Sequence, residues 1–311
     1  MSRTVTEKRA AFRTLHESGC FVLPNPWDAG SARYLASLGF QAIATTSSGF
    51  AWSTGRADNH VTREIILAHL REMVAATDLP VNADFENGFG ADPADVAESV
   101  KLAVETGVAG LSIEDSTGDA ANPLFPLVVA VERLEAARHA IDENGGDTLL
   151  IGRAENFFVG VPDMDDTLAR LKAARQAIDE NGGDTLLIGR AENFFVGVPD
   201  MDDTLTRLKA YAAAGADCLY APGIQTREQI EAVVAAVAPK PVNVLIGSQS
   251  AFTLQELGAL GVRRVSVGGA LARAAWGGFM RAAQSLANGR FDGFTDAASG
   301  AQLNAQFRDG A

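Results

Sequence analysis

Short apolar runs alternate with helix-period segments from one end of the chain to the other, and this alternation restricts the fold more than any other feature. The runs are Cys20–Leu23, Ala42–Thr46, Pro80–Asp84, Gly110–Glu114, Leu149–Arg153 or its repeat Leu186–Arg190, Cys218–Ala221, Val242–Ile246 and Arg264–Val267. Between them lie segments such as Thr62–Ala75, Pro93–Glu105, Asp202–Ala214 and Leu271–Leu286, which carry apolar residues at helical spacing. Strand–helix alternation implies parallel strands joined by helical crossovers. Eight such units predict an α/β fold closed into a (β/α)8 TIM barrel, with residues 1–311 as a single domain. An open doubly wound sheet is the alternative, but no G-x-G-x-x-G follows the first run.

One unit occurs twice. Ala136 to Ala173 reads again as Ala173 to Ala210, an offset of 37 residues, with His139/Gln176 and Ala169/Thr206 as the only mismatches. A single, almost unchanged copy is not the diverged array that a solenoid needs. Each copy ends its strand in the same motif, Arg153-Ala-Glu155-Asn156 and Arg190-Ala-Glu192-Asn193, so one functional position has two candidates. The junction fuses the beginning of one helix, Asp165–Lys172, to the end of another, Ala173–Asn181. With the second copy's strand in the barrel, the active-site mouth stays open and that strand stays joined to its own helix. We therefore expect Arg190, Glu192 and Asn193 to be the functional set, with residues 147–183 extruded from the opposite face and Arg153 and Glu155 outside the site.

The formal charge of −13 argues against a nucleic-acid surface, which needs clustered Lys and Arg. No stretch reaches the length of a membrane span, and the charged start of the chain has no apolar signal core. The only two cysteines, Cys20 and Cys218, lie in apolar runs and read as buried free thiols in a reducing, cytoplasmic compartment. His16, His69 and His139 fall in helical patterns and are expected at the surface, while His60 sits in a loop.

In a barrel of this kind, chemistry gathers where strands end. The second strand runs into Thr45-Thr46-Ser47-Ser48-Gly49, a hydroxyl-rich turn able to cradle a carboxylate or phosphate, or an ordinary polar turn. The third ends in Asp84-Phe-Glu86, whose i, i+2 spacing puts both carboxylates on one face. Glu114-Asp115 adds further carboxylates at the next strand end. Oxygen donors without His or Cys suit a hard ion such as Mg²⁺, and we expect Asp84, Glu86 and Glu114 to form its site. The Arg of the duplicated motif is either a bidentate grip on a substrate carboxylate or phosphonate, or half of an ion pair with Glu that braces the barrel. Asn243 is either a satisfied core amide or a substrate hydrogen-bond donor. Asp58 alone is an ordinary loop carboxylate.

Taken together, these residues resemble the isocitrate lyase/phosphoenolpyruvate mutase superfamily, in particular its short bacterial phosphoenolpyruvate mutase and carboxyvinyl-carboxyphosphonate phosphorylmutase-like members. The likeness runs through Leu23-Pro-Asn-Pro-Trp-Asp28, Thr45–Gly49, Asp58, Asp84-Phe-Glu-Asn-Gly-Phe-Gly90, Ser112-Ile-Glu-Asp-Ser-Thr-Gly118, the Arg-Ala-Glu-Asn-Phe motif, Tyr220-Ala-Pro-Gly223, Pro241-Val-Asn-Val244 and Ser266-Val-Gly-Gly269. The resemblance implies a Mg²⁺-dependent barrel enzyme, with Mn²⁺ as substitute, acting on small 2-oxo or 2-hydroxy diacids through a metal-stabilised pyruvate enolate. Asp84 would lie beside the metal-bound oxo acid, with Glu86 and Glu114 holding the ion mainly through water. Thr46, Ser47 and Ser48 would receive the substrate carboxylate, Asp58 would line the reacting group, and the strand-five Arg would clamp it. It also implies a homo-oligomer, a tetramer or dimer, with the C-terminal helical region 271–311 as the contact and Trp276 and Phe279 as anchors.

The isocitrate-type lyases carry a Lys-x-Cys-Gly-His loop after strand four. Here that stretch reads Ser116-Thr-Gly-Asp-Ala-Ala-Asn-Pro-Leu-Phe-Pro126, which counts against their reaction. Mutases of the family place an Asn in this lid; Asn122 matches it, though their neighbouring Lys is missing. A lyase or decarboxylase is the leading expectation, a phosphonomutase or phosphonopyruvate hydrolase the second, and a catalytically inactive binding barrel the third.

Overall fold

The computed structural model describes residues 2–119, 121–155, 159–181 and 185–308; Asn156 lies outside them. The described residues contain nine strands: β1 (Phe21–Leu23), β2 (Ile43–Ala44), β3 (Val81–Asp84), β4 (Gly110–Glu114), β5 (Leu149–Arg153), β6 (Leu186–Arg190), β7 (Cys218–Tyr220), β8 (Val242–Leu245) and β9 (Arg264–Ser266). They form one parallel sheet in the order β1-β9-β8-β7-β6-β5-β4-β3-β2. A backbone hydrogen bond from Ala44 N–H to Pro24 O (3.0 Å) joins the two ends, making a nearly closed barrel of the (β/α)8 type with helices between successive strands.

The duplicated unit is not extruded. β5 pairs with β4 along its whole length and with β6 from Ile151↔Leu186 to Arg153↔Ile188, while β6 pairs with β7. The expected extrusion of 147–183 is thereby corrected, and the reason is physical. The repeat contains one complete strand and one complete helix, so it enters a parallel sheet as an additional crossover without reversing any neighbour. Extrusion would have left Leu149, Leu150 and Ile151 as an exposed edge, whereas in the sheet all three are buried. The fused helix does form, as Met164–Asn181.

The opening helix, Val5–Leu15, closes the N-terminal end of the barrel. Phe12 is buried there against the cluster containing Phe21, Leu23, Leu149, Ile151 and Ile188. Arg9 reinforces the closure by donating to Val108 O and Val104 O and pairing with Asp147 at 2.5 Å. At the other end of the chain, the helix Ala270–Ala287 leaves Phe279 and Met280 more than half exposed, and Trp276 packs edge-on against Phe279. No helix among the described residues is long and apolar enough to cross a membrane.

The structure moves two histidines inward. His69 is 3% exposed and stacks on Phe50 at 3.7 Å between centroids, and His16 is half-buried beside Phe12 and Phe21; His139 stays at the surface. Burial is the main force pushing His16 and His69 down from 6.5 to about 4. The unfolded chain therefore binds more protons between those values, and this part of the stability is lost as pH falls from about 6.5 to about 4. His69→Phe is expected to shrink the stability drop between pH 7 and pH 4.5 by roughly 2–3 kcal/mol, measured by urea unfolding. An unchanged drop would contradict the assignment.

Candidate active site

A cavity of about 330 Å³ opens at the C-terminal ends of the strands. One wall comes from β2–β4 and the loops that follow them. It carries Thr46, Ser47, Ser48, Asp58, Asp84, Glu86 and Glu114, so the structure brings together most of the residues expected from sequence. Ser47 ties this wall together: its N–H donates to Asp84 Oδ2 (3.0 Å), and its hydroxyl bonds Asp58. Thr45 fixes the other side of Asp84 by accepting from its backbone N–H (2.9 Å). Thr46 caps the helix Ser47–Ser53, so part of the polar turn's bonding capacity is already used within the chain.

Glu86 adopts φ +48°, a left-handed conformation unusual for a residue with a side chain. Such strain persists where surrounding contacts impose it; here Glu86 O accepts from Glu114 N–H at 3.0 Å. Its carboxylate is buried with Oε1 unpartnered, and burial, reinforced by Asp84, Asp58 and Glu114, pushes its pKa up to about 8. Burial also raises Glu114, against the pull of Arg153, and raises Asp58, with Asp84 adding to the effect. A wall whose carboxylates disfavour one another's ionisation is suited to a cation.

The arginines of both copies line the cavity, which corrects the expectation that Arg153 lies outside it, while Glu155 and Glu192 are buried and are not among the lining residues. Arg153 Nη1 is 2.5 Å from Glu114 Oε1 and 3.3 Å from Asp84 Oδ1, while its Nε is 2.8 Å from Glu155 Oε1. Arg190 lies one strand further round, with Nη1 2.6 Å from the same Glu155 oxygen and Nη2 bonded to Glu192. Thus Glu155, 1% exposed, bridges two guanidinium groups. Burial works against the Arg153 charge, but Glu114, Glu155 and Asp84 together raise its pKa. Glu192 is buried and pushed upward mainly by that burial, and Asn193 donates to Asp203 (2.6 Å), away from the cavity lining. The ion-pair reading of the motif therefore describes both copies: Arg153 pairs with Asp84, Glu114 and Glu155, and Arg190 with Glu155 and Glu192.

Of two further expected residues, one lies outside the cavity and the other lines it. Asn122 is exposed in the loop after β4, bonded to Asp119 (3.4 Å) and outside the cavity lining. Asn243 does line the cavity, but its Nδ2 donates to Ser266 Oγ (3.0 Å) and its Oδ1 accepts from Arg264 Nε (2.9 Å). The sequence reading missed Tyr220, Arg264 and Ser266. Their signal was the i, i+2 spacing of Arg264 and Ser266 on one strand, which puts both on the same face.

The phosphoenolpyruvate phosphomutase family model matches residues 12–177 and again 159–287, the two matches overlapping inside the duplicated unit. The chain belongs to this family. It is 44% identical to a solved structure described as a "putative lyase/mutase from Burkholderia cenocepacia J2315", with a TM-score of 0.72 over 98% of this chain and 96% of that one. A "putative phosphonomutase" of the same organism is 36% identical, with a TM-score of 0.64 over 92% of this chain and 100% of that one. An oxaloacetate decarboxylase of Bradyrhizobium sp. (strain BTAi1) is 27% identical over 272 residues, which are 85% of this chain and 78% of that protein.

Proposed function

We propose that the chain is a Mg²⁺-dependent lyase or decarboxylase that splits a small 2-oxo or 2-hydroxy diacid, pyruvate leaving as its enolate. The observation that carries this is the meeting of Asp84, Glu86 and Glu114 with Arg153 in one strand-end cavity. The likeness to an oxaloacetate decarboxylase over most of the chain supports the same reading. All the donors are oxygen, and Glu86 Oε1 is buried without a partner, as a hard divalent ion requires. Among the described residues no three Asp, Glu, His or Cys side chains converge into a ready cage, so the ion would keep several waters, as Mg²⁺ does. When bound, Mg²⁺ or Mn²⁺ supplies Lewis-acid polarisation of the oxo or hydroxy oxygen.

The chain's own groups do the rest. Arg153 grips a substrate carboxylate, and the hydroxyls of Thr46, Ser47 and Ser48 orient the acid end. For oxaloacetate, the C3–C4 bond breaks, CO₂ leaves with C4, and the electron pair passes into the enolate, which takes a proton at C3. Asp58, whose pKa burial raises, is the acid we assign to that proton. Asp84→Ala is expected to weaken calorimetric binding of Mg²⁺ plus oxalate by about tenfold or more, and binding as tight as the parent's would overturn the site.

A second reading, cleavage or rearrangement of a P–C bond, is favoured by the presence of two guanidinium groups, Arg153 and Arg190, in one cavity and by the phosphonomutase-like relative. Pyruvate release from oxaloacetate, phosphonopyruvate and methylisocitrate, each with and without Mg²⁺, separates the two. Silence on all three would favour an inactive binding barrel.

A further inference from the structure

The cavity is divided electrically. Opposite the acidic wall, β6–β9 contribute Arg190, Tyr220, Asn243, Arg264 and Ser266 and no carboxylate. Arg190 is matched by Glu155 and Glu192, but Arg264 is not. Among the described residues Arg264 forms no ion pair, and its one side-chain hydrogen bond runs from Nε to Asn243 Oδ1, leaving both terminal nitrogens without a protein partner. Asn243 is itself held by its bond to Ser266 on the neighbouring strand, so it fixes the guanidinium instead of presenting a free amide. Its charge reaches across the barrel interior: burial lowers the His16 pKa and Arg264 adds to it, while burial raises the Cys218 thiol and Arg264 opposes that rise.

A partly withdrawn guanidinium with no carboxylate is costly unless an anion meets it, and its planar fork matches a carboxylate in two-pronged fashion. The nearby Tyr220 and Ser266 hydroxyls offer further donors and no negative charge. We propose that Arg264, positioned by Asn243, binds the second carboxylate of the substrate, the one farther from the acidic wall. The cavity then selects a diacid long enough to reach both walls over shorter acids that satisfy only one. This rests on the reading above, in which the acidic wall receives the oxo-acid end.

Calorimetry with oxalate, which is short enough to serve the acidic wall alone, and with malate, both at saturating Mg²⁺, tests the assignment. Arg264→Met is expected to loosen malate by about tenfold or more and to leave oxalate within about twofold; Arg264→Lys, which keeps the charge without the fork, should fall between. Equal loosening of both ligands, unchanged malate binding, or no malate binding to the parent protein would overturn the proposal. If Arg264→Met does not fold by circular dichroism, the Arg264→Lys ratio of malate to oxalate affinity decides alone. Failure of oxalate to bind the parent protein would instead sink the Mg²⁺-dependent reading, while the malate comparison would still judge Arg264.

Discussion

Arg153→Met is expected to lower kcat/KM for the pyruvate-forming reaction by about 10²–10³-fold, whereas Arg190→Met should cost less than about tenfold. The two side chains end identical sequence motifs, so the difference lies wholly in their surroundings. Arg153 touches Asp84 and Glu114, the carboxylates on which the proposed chemistry depends. Arg190 touches Glu155 and Glu192 and reaches Arg153 only through the shared Glu155 oxygen. Steady-state kinetics on both variants, with circular dichroism as a folding control and Arg153→Lys as the milder change, checks the ranking. Activity that survives in Arg153→Met and vanishes in Arg190→Met would reverse it.

Glu155→Ala is expected to destabilise the fold by about 3–5 kcal/mol, among the largest single-residue effects in the molecule. Its carboxylate is buried and holds two guanidinium groups, and its backbone N–H donates to Asp115 (2.7 Å). Removing it leaves Arg153 and Arg190 side by side without the charge between them. Arg190 would keep Glu192, but burial pushes that carboxyl upward and weakens its hold near neutral pH. Denaturant unfolding of the parent and the variant measures the difference, and a change below about 1 kcal/mol would show that the bridge contributes little.

The barrel and its acidic wall were legible because they depend on local regularities. Strand-length apolar runs ending in Asp84, Glu86 and Glu114 give their direction from spacing alone, and the structure places all three on one cavity. The choice between Arg153 and Arg190 was not legible, since two identical motifs contain no information about which neighbours they will have. Their roles come from strand order, with β4 beside one and β7 beside the other. The inward turn of His69 was readable in principle: it stands three residues after Ile66 and four before Met73, on the helix face that both bury. Arg264 was hidden for a different reason, because a charged residue opening a short strand looks like a solvent-facing flank until the neighbouring strands close round it.

A ninth stave changes the hoop. Each parallel strand takes up roughly 4.8 Å of circumference, so the extra one widens the ring by about an eighth and its cross-section by about a quarter relative to an eight-stranded barrel. Side chains that suffice to plug the narrower ring leave room in the wider one. Long, charged arms such as Arg153, Arg190 and Arg264 can then reach across space that an eight-membered ring would fill with aliphatic layers. The repeat thus enlarges the interior in a single step, changing the bore of the vessel while every original helix keeps its strand.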